Sequence, residues 1–381
     1  MARSQDQPTF QHLQERAQQA SADNRLDEAS RLYRKALALQ PTWADGWWSL
    51  GTLEYDQNHF AKAALAFERL IRLQPKNGTA HAMLGLCQFE LGSDAPALKN
   101  LLTADRLGIV NNQDLHSVAL YHLGILQLRA RRFGDAYDTL HDLAGSGTAS
   151  QELFTALGEA ALLLHPQTDA APISHSASVI ERVGEAEALA ARKNFAGAEQ
   201  IYNTLTSQAP DFPNLHFAYG RMLLEAESED QALKEFRREL QRDPRNVNSM
   251  LEIASVEYQV NSQDGLKYAE EAVKLAPEIP FAHYMLGMLR FDTGDAAGAI
   301  PELEIVRKSF PNQSKIYFAL GNAYARVGRK ADAAHARAEF TRLERQEKQS
   351  EASVSNPQAS AFSARQMWIK PDKGIPRKPA E

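Results

Sequence analysis

The residue types that most often signal catalysis point away from it here. Eleven histidines are scattered along 381 residues. His116 and His122 stand six apart, so they leave a helix on different faces and do not make a chelating pair. No His-Glu-x-x-His, no Gly-x-Ser-x-Gly and no glycine-rich loop ending in Gly-Lys-Ser/Thr occurs. Gly145-Ser146-Gly147-Thr148 reads as an ordinary loop. Cys87 is the single cysteine, which rules out an intramolecular disulfide and a multi-cysteine metal site. Its setting, Leu84-Gly85-Leu86-Cys87, fits a small buried apolar residue better than a reactive thiol. No catalytic residue, metal site or cofactor is expected. What this chain does, it does by non-covalent contact.

The elements that must position such contacts repeat. The stretch from Ala44 to Lys76 reads ADGWWSLGTLEYDQNHFAKAALAFERLIRLQPK. Pro41 and Pro75 are 34 residues apart, as are Gly51 and Gly85, Pro210 and Pro244, Pro277 and Pro311, and Gly287 and Gly321. Within one period Trp47, Leu50, Gly51 and Tyr55 fall three to four apart and share one helical face. Asp56-Gln57-Asn58-His59 is turn material, and Ala63, Phe67 and Leu70 resume the helical spacing. Pro75 has no amide hydrogen and ends the second helix. His81, His216 and His283 recur at the place of Trp47, which is packing periodicity rather than a site. A single such hairpin cannot bury its apolar face, so neighbours must stack.

This pattern, W-x2-L-G early, Ala then Phe in the middle and Pro at the close, resembles the tetratricopeptide repeat. The resemblance implies an all-α, tetratricopeptide-like helical-hairpin solenoid, a right-handed superhelix in two blocks with a disordered C-terminal tail. The expected organisation is a flexible N-terminus (1–9), a first block of about four repeats plus a partial fifth (10–164) and a linker (165–178). A second block of about five repeats (179–345) and the tail (346–381) follow. Three irregularities stand out. The repeat closing at Pro277 is one residue short, which suggests a tightened turn around Asp264-Gly265. Pro301 falls inside a second helix, where it should remove a hydrogen bond or introduce a kink. After Leu153–Leu164 no second helix is expected; His165 to Pro172 reads as loop and marks a seam.

Members of this family bind extended peptides or helices along a groove lined by the first helices, at the fifth and twelfth positions of each unit. Carried over, these are Trp48, Tyr55, Phe89 and Tyr121, then Phe217, Tyr258, Tyr284, Phe291 and Phe318, with Phe281 one turn earlier. The groove is therefore expected to be aromatic rather than charged. Family co-chaperones that clamp a carboxyl terminus carry Lys and Asn where this chain has Trp48 and Thr52, then Ala82 and Leu86, so that ligand is disfavoured.

Composition agrees. Apolar residues make up 44% of the chain and its formal net charge is −6, which argues against nucleic acid or an anionic membrane as partner. No stretch approaches the roughly 18 uninterrupted apolar residues of a membrane span, and MARSQDQPTFQHLQERAQQ lacks a signal-peptide core. The expectation is a cytoplasmic, non-catalytic scaffold for another protein, with export reserved for a natural start lying upstream. The alternative is a self-associating assembly element, or a regulatory subunit of a larger, envelope-associated complex. In the basic tail, Met367-Trp368-Ile369 is an apolar triplet that would serve as a docking peptide or as an occluder of the groove.

Overall fold

The computed structural model describes residues 9–110, 112–165 and 176–351. The expected N-terminal arm save Thr9, which caps α1, most of the linker and all but the first six residues of the tail, with Met367–Ile369, lie outside them. The described residues form nineteen helices and no strand. They divide into two compact units, with the boundary inside one helix: Ala156 closes the main segment of the first unit and Leu157 opens the second.

The first unit holds four helical hairpins: α1 (Phe10–Ala22) with α2 (Leu26–Leu39), α3 (Ala44–Asp56) with α4 (Phe60–Leu73), α5 (Gly78–Glu90) with α6 (Asp94–Leu107), and α7 (Gln113–Arg129) with α8 (Phe133–Gly145). α9 (Gln151–Ala161) carries the boundary. The second unit continues with α10 (Ser176–Ala191) and α11 (Phe195–Gln208), α12 (Leu215–Glu225) and α13 (Glu229–Arg242), and α14 (Val247–Val260) and α15 (Ser262–Leu275). It closes with α16 (Pro280–Asp292) and α17 (Ala296–Ser309), then α18 (Ser314–Arg326) and α19 (Lys330–Glu351).

Five of the hairpins close on one contact that the sequence period sets. A glycine on the first helix meets a large side chain sixteen residues on. Gly51 lies against Phe67, Gly85 against Leu101, Gly124 against Leu140, Gly220 against Phe236 and Gly287 against Leu303. Phe67 and Phe236 are wholly buried, and burial of such a ring contributes about 1.5–3 kcal/mol. Successive hairpins are tied by polar contacts with their own period. Trp47 Nε1 donates to the Pro41 carbonyl at 2.8 Å, and the Tyr317 hydroxyl to that of Pro311 at 2.9 Å. His81 and His283 make the same bond through Nε2, at 3.2 and 2.9 Å to Pro75 and Pro277. Their Nδ1 atoms lie 2.9 Å from Asn100 Oδ1 and 2.6 Å from Glu302 Oε2, and that of His216 lies 2.6 Å from Glu235 Oε2. His81 and His283 thus pin the preceding connection to both helices of their hairpin, and His216 ties α12 to α13.

Of the irregular places, the short repeat resolves differently from expectation. The short repeat is tightened at Asn261, the single residue between α14 and α15. Asp264 and Gly265 are inside α15, where Gly265 is buried. α17 runs unbroken through Pro301, and Arg290 Nη1 donates to the neighbouring Gly298 carbonyl at 3.2 Å. α9 ends on the turn that ends most first helices, with Leu163 at φ 57°. Gly158 of α9 faces the backbone of α10. A Cβ built there would stand 1.9 Å from the carbonyl oxygen of Ile180, so α10 packs backbone-close on this face.

Candidate binding faces

The faces are built from the first helices, whose fifth and twelfth residues share one side. In the first unit, Trp48 meets the Phe67 ring edge-on at 5.7 Å, and Tyr55 meets Phe60 at 5.3 Å. Both are half-buried. Burial pushes the Tyr55 phenol above its usual range, reinforced by Glu90. Phe89 of α5 and Tyr121 of α7 are joined by a residue that the sequence reading passed over. His122 stands edge-on to both, at 4.6 and 5.5 Å. Above Phe89 lies the Arg129 guanidinium, 4.7 Å from the ring centroid and 3.0 Å from Asp94.

In the second unit the candidate positions fall on three first helices. Tyr258 of α14, Tyr284 and Phe291 of α16 and Phe318 of α18 follow in order. Burial raises the Tyr284 phenol, and Tyr258 raises it further; Tyr258 is itself raised by burial and then by Asp292 of α16. Both phenols stay neutral at physiological pH, so these positions carry uncharged aromatic rings. Phe291 sits 6.0 Å from the Arg326 guanidinium, and Phe318 pairs with Phe340 at 5.4 Å. Phe318 is 54% exposed.

Two predicted groove residues fall elsewhere. Phe217 and Phe281 are only 2% and 4% exposed. Phe217 lies on Phe236 at 6.0 Å, and Phe281 belongs to the core of the second unit. Neither can touch a ligand without rearrangement, so the candidate faces hold eight of the ten.

Arg129 and Arg326 also escaped the sequence reading, although a signal for one of them exists. Each closes its first helix and covers the aromatic ring at the twelfth position of the first helix before it. Arg326, 35 residues after Phe291, is readable from the 34-residue register, whereas Arg129 stands 40 after Phe89 because the connection before α7 is longer. Among the described residues no group of three His, Cys, Asp or Glu could hold a metal ion, and no helix is long and apolar enough to cross a membrane.

Stacked helical hairpins of this period define a repeat protein of the protein-interaction-scaffold class. The chain belongs to the tetratricopeptide-repeat family, whose model matches residues 49–108, 183–247, 257–304 and 284–339, more than half of its length. Among solved structures it is similar to MamA (17% identity, TM-score 0.41, 43% of this chain and 96% of that one). It is also similar to yeast Tom70 (13%, 0.36, 94% and 93%). A third is YrrB, described as a TPR protein with an unusual peptide-binding site (18%, 0.29, 61% and 86%). No curated protein sequence matches.

Proposed function

We infer that this protein is a non-catalytic scaffold that holds a segment of a partner protein, an extended peptide or a helix, on the aromatic faces of its first helices. The observation that carries this is the contrast between equivalent rings. Phe217 and Phe318 occupy the same repeat position, yet one is 2% and the other 54% exposed. Tyr258, Tyr284 and Phe291, at the fifth and twelfth positions of earlier first helices, are half-buried aromatics. Exposed apolar surface is where interaction sites form, and aromatic rings dominate binding hot spots. The flanking Arg326, and Arg129 in the first unit, favour a partner segment that mixes apolar side chains with carboxylates.

A peptide library displayed against the intact chain tests this. Selected peptides should lose about tenfold or more in affinity for a Tyr284→Ala, Phe291→Ala, Phe318→Ala variant. Circular dichroism should show that variant still folded. Equal affinity for both proteins would remove the second-unit face from the function.

A further inference from the structure

The last hairpin, α18 with α19, departs from the five that close on a buried apolar side chain. Sixteen residues after the first-helix glycine, where Phe67, Leu101, Leu140, Phe236 and Leu303 are buried, it carries Arg337, which is exposed. Lys315, Phe318, Asn322 and Arg326 follow at intervals of three and four along α18 and so share one face. All but the half-buried Asn322 are exposed, and Phe318 rests on Phe340 of α19. A hairpin that only capped the stack would present polar residues on its exposed side. This one presents an aromatic ring between two cations.

Those cations have no anion of their own. Lys315, Arg326 and Arg337 make no ion pair among the described residues, whereas four carboxylates of α19 are engaged. Asp332 pairs with Arg329, Glu339 with Arg342 and Glu344 with Lys348, and Glu347 accepts from Ser314 Oγ at 2.9 Å. Residues 314–351 carry eight Lys and Arg against five Asp and Glu, in a chain of net charge −6. The surplus positive charge therefore falls on the hairpin whose ring is open.

Given the scaffold function inferred above, we propose that the exposed face of the last hairpin docks an acidic segment of the protein partner. An apolar side chain of that segment sits on Phe318, and carboxylates to either side pair with Lys315 and Arg326. These two cations stand eleven residues apart, roughly 16 Å along α18, a span that about five residues of extended chain cover. Arg337, one turn before Phe340 on α19, adds a third positive charge. The chain's own tail is the wrong occupant, since Arg365, Lys370, Lys373, Arg377 and Lys378 surround Met367–Ile369 and carry the same sign.

The test is fluorescence anisotropy of the full chain with a short labelled peptide in which glutamates flank a central leucine, beside its glutamine counterpart. The glutamate peptide should bind saturably, about tenfold or more tighter than the glutamine peptide, and should weaken as salt is raised. Lys315→Gln combined with Arg326→Gln should weaken it about tenfold, and Phe318→Ser by a similar factor. Lys35→Gln, the same charge change on exposed α2 surface, should leave it unchanged. Lys315 and Arg326 have no ion pair to lose, so the melting temperature of the double variant should hold, which separates a lost contact from a damaged fold. Equal affinity for the two peptides, no saturation with the glutamate peptide, or affinity unmoved by the double substitution overturns the proposal. If the peptide library still yields binders in that case, the scaffold function stands without this face. Tighter binding of anionic vesicles, a dimer that the double substitution dissolves, or affinity raised by Trp368→Ser would overturn it in favour of a lipid surface, a second copy or the tail.

Discussion

Three glycines at one repeat position meet three different neighbours, and their substitution should separate those neighbours energetically. A Cβ at Gly220 would lie 2.5 Å from the Phe236 ring, and one at Gly158 would lie 1.9 Å from the Ile180 carbonyl oxygen. At Gly321 the nearest atom is Cγ of Arg337, 3.3 Å away, on a side chain free to move aside. Overpacking a core costs about 1–3 kcal/mol, and glycine in a helix is about 1 kcal/mol worse than alanine. Gly220→Ala should therefore lose about 2 kcal/mol and Gly158→Ala about 3, because backbone yields less than a ring. Gly321→Ala should be neutral or stabilising. Urea unfolding of the three variants checks the order; equal losses would mean that hairpin closure does not depend on this contact. At the same scale, burial pushes the Cys87 thiol up to about 12, which keeps it protonated and unreactive in the folded chain.

At the scale of the element, the hairpin turn is the feature with backbone strain. Most first helices end in a three-residue turn whose middle residue is left-handed, and asparagine or glycine fills it at Asn24, Asn58, Gly92, Gly294 and Gly328. Glu227 takes the same conformation at φ 56°, where a side chain costs roughly 1–2 kcal/mol. Glu227→Gly should stabilise by about 0.5–1 kcal/mol after the entropy of the added glycine is subtracted. Gly294→Ala, at φ 99°, should destabilise by about 1 kcal/mol. Opposite shifts in the urea midpoint are expected, and shifts of one sign would show that the turn does not set hairpin stability. The hairpins themselves were legible in the sequence because the apolar spacing, the glycine and the closing proline are local signals that agree. The tightened turn was misplaced onto Asp264-Gly265 because a glycine after an aspartate looks like a turn. Burial of Gly265 in α15 decides otherwise. The binding faces were legible as positions, not as surfaces. Register names Phe217 and Phe318 alike, but exposure depends on what packs over each ring, and periodicity carries no information about that.

At the scale of the whole molecule, a stack of hairpins transmits stability mainly between neighbours, and the tryptophans allow that to be measured. Trp43, Trp47 and Trp48 all lie in the first unit. Trp43 meets Phe10 at 5.2 Å and Tyr33 at 5.7 Å, and Trp48 meets Phe67 at 5.7 Å. With Trp368→Phe as background, fluorescence reports the first two hairpins alone, whereas far-ultraviolet circular dichroism reports helix throughout. Gly220→Ala perturbs α12 and α13, several hairpins away in sequence. If coupling decays from neighbour to neighbour, this variant should lower the dichroism midpoint in urea and leave the fluorescence midpoint where it was. The expected outcome is two transitions that part in the variant, with the first-unit signal unmoved. Equal displacement of both signals would show instead that the two units unfold as a single cooperative body, so that a ligand held on one face would stabilise the other unit as well.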